Sequence, residues 1–225
     1  MNNFLELKNI SKNFDTEKKV RVLNKLSYNF KTGKIYSLMG PSGSGKSTLL
    51  NLISLIDRPT NGSIKFNNIQ VNFNENNKND IFRAKKIGIV YQQNNLLPDF
   101  TALENLYLAN LSINDNKKMS MLKAEKLLKK IGLSNRSDHF PSQLSGGESQ
   151  RIAIARAIIN DPDIILADEP TGSLDMKTAK DIFALLNNQK KPNRLIIFAT
   201  HNRFFAKKAD YLLELTDGSI KSTNV

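Results

Sequence analysis

The residues Gly40-Pro41-Ser42-Gly43-Ser44-Gly45-Lys46-Ser47-Thr48 carry the clearest chemistry in the chain. They fit the pattern G-x-x-x-x-G-K-[ST], which chance supplies in about one chain in a hundred of this length. The apolar run Ile35 to Met39 before them reads as a strand, and Leu49 to Ile53 after them reads as a helix. In that context the glycines let successive backbone N–H groups turn inward at a helix N-terminus, forming a concave anion site. Lys46 adds a full positive charge that reaches β- and γ-phosphates, and Ser47 offers a hydroxyl to Mg²⁺. The stretch therefore reads as a nucleotide site.

Further polar groups fall at the ends of apolar runs, and open α/β sheets bind ligands at the carboxyl ends of their strands. Asp163 to Ala167 ends in Asp168-Glu169. The first carboxylate is placed to hold Mg²⁺, usually through water; the second can orient or deprotonate a water beyond the γ-phosphate. Ile87 to Tyr91 ends at Gln92, and Leu195 to Ala199 ends at Thr200-His201. A histidine there can hydrogen-bond the γ-phosphate or hold the water, although such a histidine is more often a packed or surface residue. The second histidine, His139, has no comparable placement. Phe14 follows the first strand, where an aromatic can stack on adenine, although a lone Phe there more often belongs to a core. Ser145-Gly146-Gly147-Glu148 reads as a capping box whose two glycines leave backbone N–H groups free, which makes a second anion site.

Strands and helices must position these groups. Phe4 to Ile10 alternates apolar and polar residues, and Val20 to Phe30 is extended, so the two predict an antiparallel layer ahead of the nucleotide core. Ser63–Phe66 and Ile69–Phe73 read as a hairpin about Asn67-Asn68. Asn74 to Asn79 reads as a solvated insertion, and Ile81–Lys86 as a short helix. Residues from about 93 to 159 are mostly helical. Thr101 and Glu104 form a capping box, and Met121, Ala124, Leu127, Leu128 and Ile131 share one helical face that ends at Gly132. Ala179, Ile182, Phe183 and Leu186 mark another helix, and Tyr211–Leu215, Asp217-Gly218 and Ser219-Ile220 a closing hairpin. Buried strands alternating with helices predict an α/β fold with a parallel-sheet core, an antiparallel β layer and an inserted helical lobe. One domain spanning residues 1–225 accommodates all of it.

Composition excludes some classes. With no cysteine there is no disulfide framework or thiolate metal site, which favours a reducing compartment. The start of the chain lacks a basic region followed by an apolar core, and no apolar run approaches a membrane span; Ile152 to Ile159 is broken by Arg156. A cytoplasmic protein is expected. The formal charge of +12 is compatible with nucleic acid, an anionic membrane surface or an acidic partner. The lysines are spread and not interleaved with aromatics, which favours a coding bias toward Lys and Asn, and no nucleic-acid partner is expected.

The motifs together resemble the ATP-binding cassette (ABC) ATPases over essentially the whole chain. Gly40–Thr48 is similar to that family's Walker A motif, Gln92 to its Q-loop glutamine and Leu144–Glu148 to its LSGGE signature. Ile164–Asp168 resembles Walker B, Glu169 the catalytic glutamate, Gly172–Asp175 the D-loop and His201 the switch histidine. Phe14 stands where the family's adenine-stacking aromatic belongs, in place of the usual Tyr. Ser149 stands where Gln often follows the signature Glu, and Gly172-Ser173 where Ser-Ala is common.

The resemblance implies a P-loop NTPase that hydrolyses ATP with Mg²⁺. Lys46 and the loop amides would hold phosphates, Ser47, Gln92 and Asp168 the metal, Glu169 the water, and His201 the γ-phosphate. It implies a head-to-tail pair with a second copy, in which the signature helix from Ser145 to Glu148 covers the other copy's γ-phosphate, Ser145 and Gly147 acting in trans; Asp175 is implied as a further nucleotide-binding residue. Asp57–Thr60, Leu96–Asn105 and Glu169–Gly172 look like the LolD/MacB type, ATPase subunits of lipoprotein-releasing systems and related exporters. An integral membrane permease docked near Gln92–Thr101 and the helical lobe, on the cytoplasmic face of the inner membrane, is then implied. A macrolide-exporter-like or FtsE-like role is the alternative within the type, and a non-transport ABC ATPase acting on DNA or ribosomes is the alternative outside it.

Overall fold

The protein was described from a computed structural model covering residues 4–15 and 19–224. Its first half is led by an antiparallel sheet of β1 (Leu5–Asp15), β2 (Lys19–Phe30), β4 (Asn61–Phe66) and β5 (Ile69–Gln70), in the order β2-β1-β4-β5. Asn67 and Asn68, at φ 48° and 65°, make the β4–β5 turn, since Asn tolerates the left-handed region. The sequence predicts a second hairpin strand to Phe73, but β5 ends at Gln70; one more bond to β4 follows, from the Val71 amide to the Ile64 carbonyl at 2.9 Å, and Val71 and Phe73 pack against the core.

The second sheet contains β3 (Ile35–Met39), β6 (Ile87–Val90), β7 (Ile164–Asp168), β8 (Leu195–Ala199), β9 (Tyr211–Thr216) and β10 (Ser219–Asn224), ordered β10-β9-β3-β8-β7-β6. The pairs from β9 through β6 are parallel, and β10 returns antiparallel through the Asp217-Gly218 turn. Strands buried on two faces need apolar residues at every position. Ile164 and Leu166 of β7, with Leu195 and Ile197 of β8, join one core cluster; Ile165 and Ala167, with Ile196 and Phe198, join the other.

Helix α1 (Lys46–Ile53) lies in the first cluster, where Leu49, Leu50, Leu52 and Ile53 meet apolar residues from both sheets. The second cluster is covered by α5 (Gly146–Ile158) and α6 (Met176–Asn187). A third gathers α3 (Ala102–Leu111), α4 (Lys117–Lys130) and the opposite side of α5, through Leu106, Leu128, Ile152 and Ala155. The predicted parallel core, antiparallel layer and helical insertion are present. Helix α5 serves two clusters at once, Ile154 and Ile158 facing the sheet while Ile152 and Ile159 face the insertion.

A further expectation is corrected. Residues 74–79, read as a solvated insertion, enter α2 (Asn76–Lys86) at Asn76. The predicted helix over 81–86 is its second half; no α2 residue is fully buried, only Phe82 packs against the core, and no apolar residue announces the first turns. Local bonds begin it: Asn79 Nδ2 donates to the Asn72 carbonyl, and Lys78 pairs with Glu75 at 2.6 Å.

Candidate functional site

The loop after β3 forms the floor of a cavity of about 570 Å³. Gly40, Gly43 and Gly45 have φ of 151°, 78° and 99°, values that let the amides converge ahead of α1. A side chain at Gly43 would meet nothing within 4 Å, so that wall is open, whereas one at Gly40 would lie 2.3 Å from the Leu215 carbonyl. Lys46 Nζ donates to the carbonyls of Gly40 and Pro41 at 2.9 Å each. An ammonium has three donors, which leaves one for the cavity. Gly40, Ser42, Gly43, Gly45, Lys46, Ser47 and Thr48 line this space. Pro41 and Ser44 line the adjoining face of the loop.

Three strand ends complete the wall. Gln92 follows β6, Asp168 ends β7 and His201 follows β8; all three line the cavity with Glu169. Because β7 lies beside β8 with Asp168 opposite Ala199, the residues just past each end become neighbours. His201 Nδ1 sits 3.0 Å from Glu169 Oε1. Glu169 takes a left-handed φ of 46°, a conformation that costs a non-glycine residue about 1–3 kcal/mol and collects at functional sites. Its amide donates to the Ala199 carbonyl at 3.0 Å, which fixes the turn.

One buried oxygen lining this cavity, Glu169 Oε2, has no partner within the described residues. Orphaned buried polar atoms need an explanation, and a nucleotide phosphate with its attacking water supplies one. The donor set fits an anion. Among the described residues there is no group of three or more His, Cys, Asp or Glu able to hold a metal by itself. Ser47 and Asp168 on one cavity wall suit a cation that completes its shell with phosphate oxygens and water, as Mg²⁺ does.

The remaining predicted residues do not line this cavity. Ser145 caps α5, its Oγ accepting from the Glu148 amide at 3.2 Å while Glu148 Oε2 accepts from the Ser145 amide at 2.8 Å. Arg136 Nε donates to Glu148 Oε1 at 2.8 Å; this bond, with the Ser145 bonds, holds the Glu148 carboxyl down at about 2. A side chain at Gly147 would come 2.6 Å from Thr178 Cγ2, so glycine there also lets α5 start close against α6. Asp175 caps α6, accepting from the amides of Lys177 and Thr178. Within one chain, Ser145, Gly146, Gly147, Glu148 and Asp175 are therefore separate from the phosphate cradle.

Phe14 is 39% exposed and pairs with Val20 across β1 and β2. Phe14 lies close along the sheet to the β-bulge at Val22, which does line the cavity. Its ring carries Lys12 Nζ at 4.9 Å, so its contacts are on the rim and not in the core.

Sequence reasoning missed three residues. Val22 walls the cavity and gives no signal beyond its place in a strand. Arg156 donates from α5 to the carbonyls of Asn94 and Asn95, at 2.8 and 2.6 Å, tying the signature helix to the segment after Gln92. Its signal was the charge interrupting an apolar helical run. Asn105 is buried and bonds the backbone of Leu97, Phe100 and Thr101, which shapes the loop ahead of α3.

Comparison with known proteins agrees with this geometry. The family described as ABC transporter matches residues 23–172. The lipoprotein-releasing system ATP-binding protein LolD of Rickettsia bellii is 43% identical, covering 97% of this chain and 98% of its own length. LolD of Wigglesworthia glossinidia brevipalpis is also 43% identical, with both chains covered in full. Among solved structures, the dimeric post-hydrolysis state of the ATP-binding cassette MJ0796 bound to ADP and Pi superposes with a TM-score of 0.90, at 38% identity and 98% coverage of each chain.

Proposed function

The chain belongs to the ABC transporter family of ATP-binding proteins, and from that premise we propose that it powers a separate membrane subunit in releasing lipoproteins from a membrane. The observation that carries this reading is the full-length similarity to LolD proteins, at 43% identity. The relatives' names do not favour the exporter-like, FtsE-like or DNA- and ribosome-directed alternatives.

In this reading Lys46 and the loop amides bind the ATP phosphates. Ser47, Gln92 and Asp168 would hold Mg²⁺, which would supply neutralisation of the phosphate charge. Glu169 accepts a proton from the attacking water through Oε2, the oxygen left free by His201. His201, held through Nδ1 against Glu169 Oε1, turns Nε2 toward the γ-phosphate. Phe14 stacks on the adenine.

The separation of Ser145–Glu148 and Asp175 from the cradle, with the dimeric MJ0796 relatives, supports a site completed by a second copy. The Ser145 cap then presents the α5 N-terminus to the partner's γ-phosphate. No helix among the described residues is long and apolar enough to cross a membrane. The Asn105-braced loop exposes Leu97 and Phe100, a suitable seat for a permease on the cytoplasmic face.

Co-purification from detergent extracts tests the coupling: an integral membrane protein should accompany the chain, and nucleic acid without one would overturn the reading. Mixing Lys46→Ala and Ser145→Arg protomers tests the paired site. The mixture should regain one composite site, and full activity of Ser145→Arg alone would exclude action across the interface.

A further inference from the structure

The outer face of α4 does nothing for the fold or the nucleotide site. Ser120, Ala124 and Leu128 turn inward and are buried, and six of the helix's fourteen residues are lysines. At 3.6 residues per turn, Leu122, Lys126 and Met119 run down the middle of the exposed face. Lys118 and Lys129 flank one side, and Lys123 and Lys130 the other; all five of these lysines are exposed. Met119 is 56% and Leu122 42% exposed. None of the five lysines joins an ion pair among the described residues.

This arrangement works against the helix that carries it. Lys117 and Lys118 stand in a first turn with no acidic residue, where the helix dipole disfavours positive charge. Lys126 and Lys130 are four apart, and Lys123, Lys126 and Lys129 three apart, spacings at which like charges repel. Glu125 is the one acid in the helix. Glu125, four residues before Lys129, and the last-turn places of Lys129 and Lys130 compensate only part of this, and the remaining repulsion points to a counter-charge outside the chain.

We propose that the exposed face of α4 binds the anionic headgroups of a phospholipid bilayer. Charge complementarity selects an acidic surface. The aliphatic Leu122 and Met119 between the lysines select lipid over nucleic acid, for which aromatic stacking residues and Arg would be expected. The face is convex and not a groove, which suits a planar surface. The inference rests on the membrane-coupled reading for its setting but is tested on the chain alone.

The purified full chain should co-sediment with phosphatidylglycerol–phosphatidylcholine vesicles, release at 0.5 M salt, and ignore pure phosphatidylcholine. Each lysine near such a surface contributes about fivefold in partitioning. The combined variant Lys118→Gln, Lys123→Gln, Lys126→Gln, Lys129→Gln, Lys130→Gln should therefore bind about a hundredfold or more weakly, with unchanged ATPase activity. The same five positions changed to Arg should bind as the wild type does. Vesicle binding untouched by the Gln variant, equal binding to uncharged vesicles, or displacement from vesicles by DNA at lower charge concentration than lipid would each overturn the proposal. Any of these would leave the ATPase and co-purification results standing.

Discussion

Glu169→Gln removes a charge and keeps a shape. The side chain is 12% exposed, with Oε1 against His201 and Oε2 unpartnered. A glutamine fills the same volume and leaves Gly40 to Thr48 untouched, so nucleotide affinity should stay within about threefold of wild type, the phosphate contacts being unchanged. His201 is 69% exposed, so weakening its contact with Glu169 costs the fold little. The chemical step is different. A positioned general base contributes about 10²–10⁴ in rate, or about 3–5 kcal/mol of barrier. Phosphate release measured under saturating ATP should fall by that factor. The same variant should accumulate as an ATP-bound pair, sedimenting at twice the monomer mass, because binding closes the interface and hydrolysis no longer opens it. Turnover within about threefold of wild type would refute the assignment of Glu169 as base.

Two further outcomes follow from packing and charge. The Glu148 carboxyl, held at about 2 from an ordinary 4.5, adds stability that is complete above the ordinary value and is lost as pH falls from there through about 2. Arg136→Gln should move the Glu148 titration, read by carboxyl NMR, upward and flatten that part of the acid dependence; an unmoved titration would remove Arg136 as the cause. Gly88→Ala would place a methyl 2.2 Å from the Ala157 carbonyl oxygen and 2.9 Å from its carbon. Both are backbone atoms of α5 against β6, so urea denaturation should show a loss of about 1–3 kcal/mol, as overpacking does. Wild-type stability there would mean that α5 can shift freely.

The phosphate cradle was legible because its chemistry is local. Nine consecutive residues, with a strand before and a helix after, contain the turn, the amides, the ammonium and the hydroxyl. Asp168, Glu169, Gln92 and His201 were legible as strand-end residues for the same reason: an apolar run that stops on a polar group marks its own end. The first turns of α2 were not, because residues 76–80 are held by Asn and Glu side-chain bonds and contain no apolar residue to read. Nor was the grip of Arg156 on Asn94 and Asn95, which spans about sixty residues and has no counterpart in spacing.

By itself the sequence determined which groups exist and which lie at the ends of elements. Their company was decided in three dimensions. Glu169 meets His201 because β7 and β8 are hydrogen-bonded neighbours, although 32 residues separate the two in the chain. Ser145–Glu148 caps a helix whose other side packs on the sheet, and that packing holds the cap outside the cavity. A motif's residues can be listed from their order. Whether they face one another depends on strand adjacency and helix packing, which contacts distant in sequence determine.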